Sequence, residues 1–280
     1  MESISNQRFV GERALFAGRD LAIAHTVFAD GESPLKHSSD IGLDHAVFEW
    51  KYPLWYSGGI AATNSALTES ARAGIWYTRD VAIDHSTIAA PKTFRRSQGI
   101  HLEYVSLPNA AETLWACRDV TLHHVMAAGD YFAMNSSEIR VDDFQLIGNY
   151  SFDGCRDVEV DNAYLLSKDA FWNCENVVVK NSLIVGEYIG WNSRNLTFID
   201  CTIESLQGLC FIENLVMRGC RLLNTTLAFE YSTVDAEIVG SIDSIINPTS
   251  GIIRCESVGT LVLDPGRIDP AQVQIITSEE

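Results

Sequence analysis

The chain has 280 residues, 46% hydrophobic and 20% charged, a composition that suits a globular protein and excludes a disordered or fibrous one. Asp and Glu number 37 against 20 Lys and Arg, and the net charge of -17 repels both nucleic-acid phosphates and anionic membrane surfaces. There is no apolar run of about 18 residues and no basic-then-apolar leader, and seven cysteines is an odd number in a chain too long to need disulfides, so the expectation is a reduced, cytoplasmic protein.

In chain order, short strand-like tetrads recur, each preceded by Asp, Asn, Gly or Glu: DLAI, DIGL, GIAA, DVAI, GIHL, DVTL, EIRV, DVEV, NVVV, NLTF and NLVM. Their first apolar residues are Leu21, Ile41, Ile60, Val81, Ile100, Val120, Ile139, Val158, Val177, Leu196 and Leu215, in steps of 19 to 21 residues. A second apolar column lies two residues after these anchors (Ile23, Leu43 and onward), a third seven after (Phe28, Phe48 and onward) and a fourth six before (Leu15, Leu35, Leu54, Ile75, Phe94 and onward). Period-two alternation broken by small or polar turns reads as strands, and no stretch carries a helical period in every copy. The leucine-rich-repeat signature and a six-residue subperiod are both missing. A coil with a perimeter of roughly 60–70 Å, stacked about 4.8 Å from the next, remains. The predicted fold is an all-β, single-stranded, right-handed parallel β-helix of about 11–12 rungs, three short strands to a rung.

The whole of 1–280 reads as one β-helix domain, with regular rungs over 11–233 and irregular closing rungs and a cap over 234–280. Met1–Val10 is too short for much of a cap, so a strand or a partner chain is expected to cover that end. The tail DPGRIDPAQVQIITSEE is expected to drape over the last rung or pair with a neighbour, and exposed ends favour homo-oligomers.

Stacked rungs predict ladders of like residues. Cys117, Cys155 and Cys174 share a column with Ser38, Ser57, Thr78, Ser97, Ser136 and Ser193, and Cys201 and Cys220 share another with Thr26, Ser65, Ser86 and Ser182, which reads them as small buried residues. His25, His45, Asn64, His85, His124 and Asp143 form a polar column at a bend, read as a turn ladder. A His25–His45 metal pair lacks a clear third ligand, and neither a metal nor another cofactor is expected.

The segment before each anchor looks less structural. Trp55, Trp76, Trp115, Trp172 and Trp191 sit five residues before their anchors, where alternation points them outward beside a charge ladder. Exposed aromatics flanked by charges suit a small-molecule or oligosaccharide ligand, although the same tryptophans would also serve to cover a bend. Lys51, Arg72, Lys92, Arg95 and Arg96 gather on early rungs and suit an anionic group; Glu112 opens the acidic stretch that follows. Asp130, Asp153, Asp169 and Glu187 offer carboxyl pairs for glycoside hydrolysis, and Lys168 beside them suits proton abstraction next to a uronate carboxylate. A balanced salt-bridge ladder is the competing reading of the same charges. A non-catalytic carbohydrate- or protein-binding scaffold is the competing reading of the face.

The series GERALF, GESPLK, KYPLWY, ARAGIWY, APKTFRR, ETLW, GDYF, GNYSFDG, SKDAFWNC, GEYIGWNS, SLQGLC and LAFEYS resembles a bacterial family of unknown function, over roughly Phe9 to Asn247. Its members look like single-stranded right-handed β-helices of the pectin-lyase-like superfamily. The resemblance implies the fold and transfers no activity and no catalytic residue. No compact run of Asp like that of a polygalacturonase site is present.

Overall fold

An apolar residue at every second position needs a pleated strand with one dry face. In the computed structural model the first such pairs become strands Arg19–Ala24 and Ser39–Asp44, joined in parallel with Leu21 opposite Ile41. The structure describes residues 1–278. They fall into two compact units, Met1–Gln145 and Leu146–Glu280, and each is a parallel β-solenoid. Together the units hold about 15 turns and, beyond one 3-10 turn at Pro270–Gln272, no helix among the described residues. No helix is long and apolar enough to cross a membrane.

The anchors set the register. In the first unit Ile41 stands opposite Ile60, Ile60 opposite Val81, Val81 opposite Ile100 and Ile100 opposite Val120. In the second, Val158, Val177, Leu196 and Leu215 align in succession. The columns around them form the dry interior: Phe28, Phe48, Phe94, Phe152 and Phe171 are all 2% exposed or less. Phe28 stacks on Phe48 at 4.8 Å, and Phe152 on Phe171 at 5.2 Å.

The Asp, Asn or Gly before each anchor has a backbone reason. Asp20, Asp40, Asp80 and Asp119 in the first unit, and Asp157, Asn176, Asn195 and Asn214 in the second, all have φ between 51° and 63°. That left-handed region suits short polar residues that bond locally. In the second unit the amides also form a chain: Asn214 donates to Asn195, Asn195 to Asn176 and Asn176 to Asp157, each at 2.9 Å.

The Ser/Cys column solves a related problem. A left-handed corner takes backbone groups out of the strand ladder, and buried ones need partners. Ser57 Oγ donates to Leu35 O at 2.8 Å, and Ser193 Oγ to Phe171 O at 2.8 Å while accepting from Cys174 N. Cys174 Sγ takes the same role toward Phe152 O at 2.9 Å. All seven cysteines are buried and free of disulfides. Burial pushes the Cys117 and Cys210 thiols up to about 12, and only a thiolate reacts quickly. Cys220 is the exception, its thiol lowered to about 7 by the hydrogen bond with Cys201. Because all seven are buried, the native protein is expected to resist iodoacetamide and to take up label at seven sites only on unfolding, as read by intact mass; rapid labelling of the native form at Cys117 or Cys210 would contradict this.

Three details differ from the sequence reading. The turns outnumber the expected 11–12, because both ends hold turns without a regular apolar signature. At the start, strand Glu2–Ser5 pairs with Arg19–Ala24 and places Glu2 in the anchor column, where one side faces solvent. At the other end Val234, Gly251 and Val273 continue the column at uneven spacing. Gly251 has φ +118°, and a Cβ there would lie 1.9 Å from Val234 O, so no apolar side chain fits that anchor. The tail forms strand Val273–Thr277 on Ser250–Cys255. Its last two residues, Glu279 and Glu280, lie outside the described residues. Finally, the third side of a turn is paired strand only in places, such as Ile75–Trp76 with Phe94–Arg95. Elsewhere it is a run of left-handed bends, including Leu114, Phe152 and Phe171.

Candidate functional site

In the first unit, parallel stacking places the column five before the anchors ring upon ring. Trp55 and Trp76 lie parallel at 5.1 Å with 7° between their planes. The Lys36 ammonium sits 5.6 Å from the Trp55 ring, and the Arg95 guanidinium lies 4.7 Å from Trp76 and 5.0 Å from Trp115. The Trp55 and Trp76 indole N–H groups donate to Ala73 O and Lys92 O. All three tryptophans are half-buried. Alternation points these rings outward, but Trp55 and Trp76 turn one face toward each other, and Arg95 lies over Trp76 and Trp115. This stacking gives Trp55 and Trp76 a bracing role in the fold. Trp76→Ala is expected to cost about 1–3 kcal/mol, through lost stacking on Trp55 and the loss of one of the two rings beside Arg95. A denaturation midpoint unchanged from wild type would contradict that role.

The basic group of this unit is largely paired. Lys51 meets Glu32 at 3.4 Å, and Lys92 and Arg95 share Glu112 at 2.9 and 3.1 Å. This matches the salt-bridge-ladder reading. Exposed Arg72 lines a hollow of about 270 Å³ with Tyr52, Trp55, Ala73, Trp76, Pro91 and Lys92. Arg96 and Asp130 are exposed. The Arg95 Nε is buried without a hydrogen-bond partner.

The second unit brings four of the five predicted catalytic residues into one neighbourhood. Asp169 is 1% exposed, its Oδ1 lacks a hydrogen-bond partner, and Tyr150 bonds to the carboxyl. Burial pushes its pKa up; the neighbouring Lys168 charge opposes that rise, while Glu187 and Asp153 add to it. Lys168 is exposed and meets Glu187 at 3.2 Å. Asp153 is partly exposed and accepts from Asn173 Nδ2 at 2.8 Å. Neighbouring carboxyls thus occupy opposite environments: Asp169 is dry and favours its proton, while Asp153 and Glu187 meet solvent. That is the arrangement acid–base chemistry requires.

The fifth predicted catalytic residue, Asp130, belongs to the first unit, where it carries the backbone carbonyl that accepts from Glu112 N. Trp172 and Trp191 border the acid group, tilted by 31° at 6.2 Å, with Tyr188 edge-on to Trp191 at 5.7 Å. These rings stack less closely than Trp55 and Trp76.

Next to them runs a groove of about 540 Å³, walled by Arg156, Asn173, Glu175, Asn192, Arg194, Phe211, Glu213 and Tyr231 among others. Asn192 donates to Asn173 at 2.8 Å, so an amide ladder leads from the groove to Asp153. Arg194 and Arg156 both face Glu175, at 2.6 and 3.7 Å. Phe211 is 38% exposed.

Sequence reasoning missed Tyr150 and the groove. Tyr52, Tyr131, Tyr150 and Tyr188 all stand eight residues before their anchors, the position that Asp169 also fills. One more aligned column would have shown an acid among tyrosines. Groove residues Asn173, Asn192 and Phe211 stand four before their anchors, at left-handed corners with φ of 53°, 57° and 56°.

Comparison with known proteins adds the family. A family profile described as "Protein of unknown function (DUF3737)" matches residues 2–276. No curated protein matches the chain. Among solved structures, the mannuronan C-5 epimerase AlgE4 A-module of Azotobacter vinelandii is 10% identical, with a TM-score of 0.39 over 98% of this chain and 88% of that one. PfbA, a surface adhesin of Streptococcus pneumoniae, is 10% identical, with a TM-score of 0.27 over 91% of this chain and 69% of that one.

Proposed function

The chain belongs to the DUF3737 family, whose description carries no chemistry, and from its own residues we propose that the second unit binds a small saccharide and acts on it by proton transfer. One observation carries this reading: the dry Asp169 carboxyl, with its raised pKa, stands beside the exposed Lys168–Glu187 pair and Asp153. Asp169 supplies the proton, relayed through Tyr150, and Glu187 or Asp153 supplies the base. With Lys168 holding a ligand carboxylate, the same set serves hydrolysis or elimination on a uronate-containing oligosaccharide.

The groove fits the ligand class. Amides, guanidinium groups and carboxylates along one wall bond hydroxyls, and Phe211 and Tyr231 offer apolar contact. The charge of -17 disfavours nucleic acid and anionic membranes as partners, and seven free, buried thiols suit a reducing cytoplasm.

A non-catalytic binding scaffold is the second reading, favoured by the near-complete burial of Asp169. Titration with neutral and uronate-containing oligosaccharides, followed by calorimetry and product analysis, separates the two. Asn192→Ala is expected to weaken binding about tenfold, the size of one lost hydrogen-bonding side chain in a polar site. Binding without turnover in wild type would leave only the scaffold, and no binding at all would defeat both readings.

A further inference from the structure

We propose that His25, Asp44 and His45 form a binding site for a borderline divalent transition-metal ion, of the zinc, nickel or copper type. The site lies wholly in the first unit and does not depend on the saccharide reading.

The solenoid brings the three residues together. His25 and His45 occupy the same corner position on successive turns, with Ala24 opposite Asp44 in the strands just before them. Both histidines are in the left-handed region, with φ 47° and 50°, which turns their side chains out of the strand at one bend. Their rings lie 4.7 Å apart and tilted by 32°. One ligand atom from each of His25, Asp44 and His45 lies within 4.8 Å of the others. Both histidines are exposed and Asp44 is half-buried, so the imidazoles can rotate to close on an ion while the carboxylate stays fixed.

The surroundings favour metal over a plain turn ladder. Asp44 Oδ1 is held by Asn64 Nδ2 at 3.0 Å, Thr63 Oγ1 at 3.2 Å and His45 Nδ1 at 2.9 Å. That leaves Oδ2 for a cation. His45 Nδ1 stands at the same carboxylate, so an ion held between Nδ1 and Asp44 takes the place of that hydrogen bond. Two imidazoles and one carboxylate select transition metals over calcium or magnesium, which prefer all-oxygen sites. Three protein ligands leave the remaining coordination positions to water. The corner itself does not demand imidazole, because Asn64 fills it on the next turn. The sequence alone offered His25 and His45; the missing third ligand was the residue beside His45, brought under His25 by the register.

The test is calorimetric titration of the metal-free full chain with zinc chloride, then nickel sulfate, at neutral pH. One saturable site is expected. His25→Asn and His45→Asn each remove it, since asparagine is at home in this corner and keeps the fold. Asn64→Ala weakens it by about 10–100-fold through a loosened Asp44. His124→Asn leaves it intact, although His124 lies in a similar His/Asp group of the same unit beside Asp143. The proposal is overturned by no saturable binding in wild type, by wild-type binding in His25→Asn, or by loss of the site in His124→Asn.

Discussion

Phe171→Ala is expected to destabilise the protein by about 3–5 kcal/mol, the usual cost of emptying a fully buried aromatic position. Phe171 is 0% exposed and stacks on Phe152 with 13° between the rings. Its backbone joins two further ladders, N to Ser151 O and O from Ser193 Oγ. The loss should appear as a lower midpoint in urea with little change in slope. A second variant separates packing from backbone strain. Phe171 has φ 60°, a conformation costing a residue with a Cβ roughly 1–2 kcal/mol. Alanine keeps that strain and glycine releases it. Phe171→Gly should therefore be no less stable than Phe171→Ala, despite its smaller side chain. A clearly less stable glycine variant would contradict the corner account.

Asp169→Asn is expected to move stability the other way. The carboxylate is dry, and one of its oxygens has no hydrogen-bond partner. Burial raises its folded pKa above the unfolded value, so between those two values the native state holds the proton more tightly. Stability therefore falls as pH rises through that window, and the deficit is complete above the folded pKa. An amide carries no charge, so Asp169→Asn should be more stable than wild type at neutral pH, by about 1 kcal/mol on the scale of one unsatisfied buried polar group. The gain should fade below the ordinary carboxylate range, where the wild-type group is protonated in both states. Melting temperatures of the two proteins across acid and neutral pH check this; an advantage that persists unchanged at low pH would contradict it.

Most of the fold was legible because stacking makes each turn repeat its neighbour's constraints. Leu21, Ile41 and Ile60 are apolar for the same reason, and the Asp, Asn or Gly before such anchors marks a left-handed corner. Legibility failed where a turn has only one neighbour, as at Glu2, or where backbone approach forbids a side chain, as at Gly251. The candidate site was legible in its charges. Asp153, Lys168, Asp169 and Glu187 gather in the second unit as their columns require. Orientation was not legible. Alternation carries side chains outward in a strand, as at Trp76, but Trp55 lies in a turn, and the two rings stack so that each covers a face of the other. Burial of Asp169 was equally hidden, since nothing in its spacing separates a dry carboxyl from a wet one.

The central claim is that Asp169 is the acid of a saccharide-processing site in the second unit. Its raised pKa fixes the sign of the pH dependence: turnover should decline as pH rises through that pKa, because the proton is then lost. The most direct measurement is single-turnover kinetics of wild type and Asp169→Asn on a uronate-containing oligosaccharide that calorimetry shows both proteins to bind. The account predicts unchanged affinity and a rate lower by about 10²–10⁴-fold in the variant. Equal rates in the two proteins would contradict it.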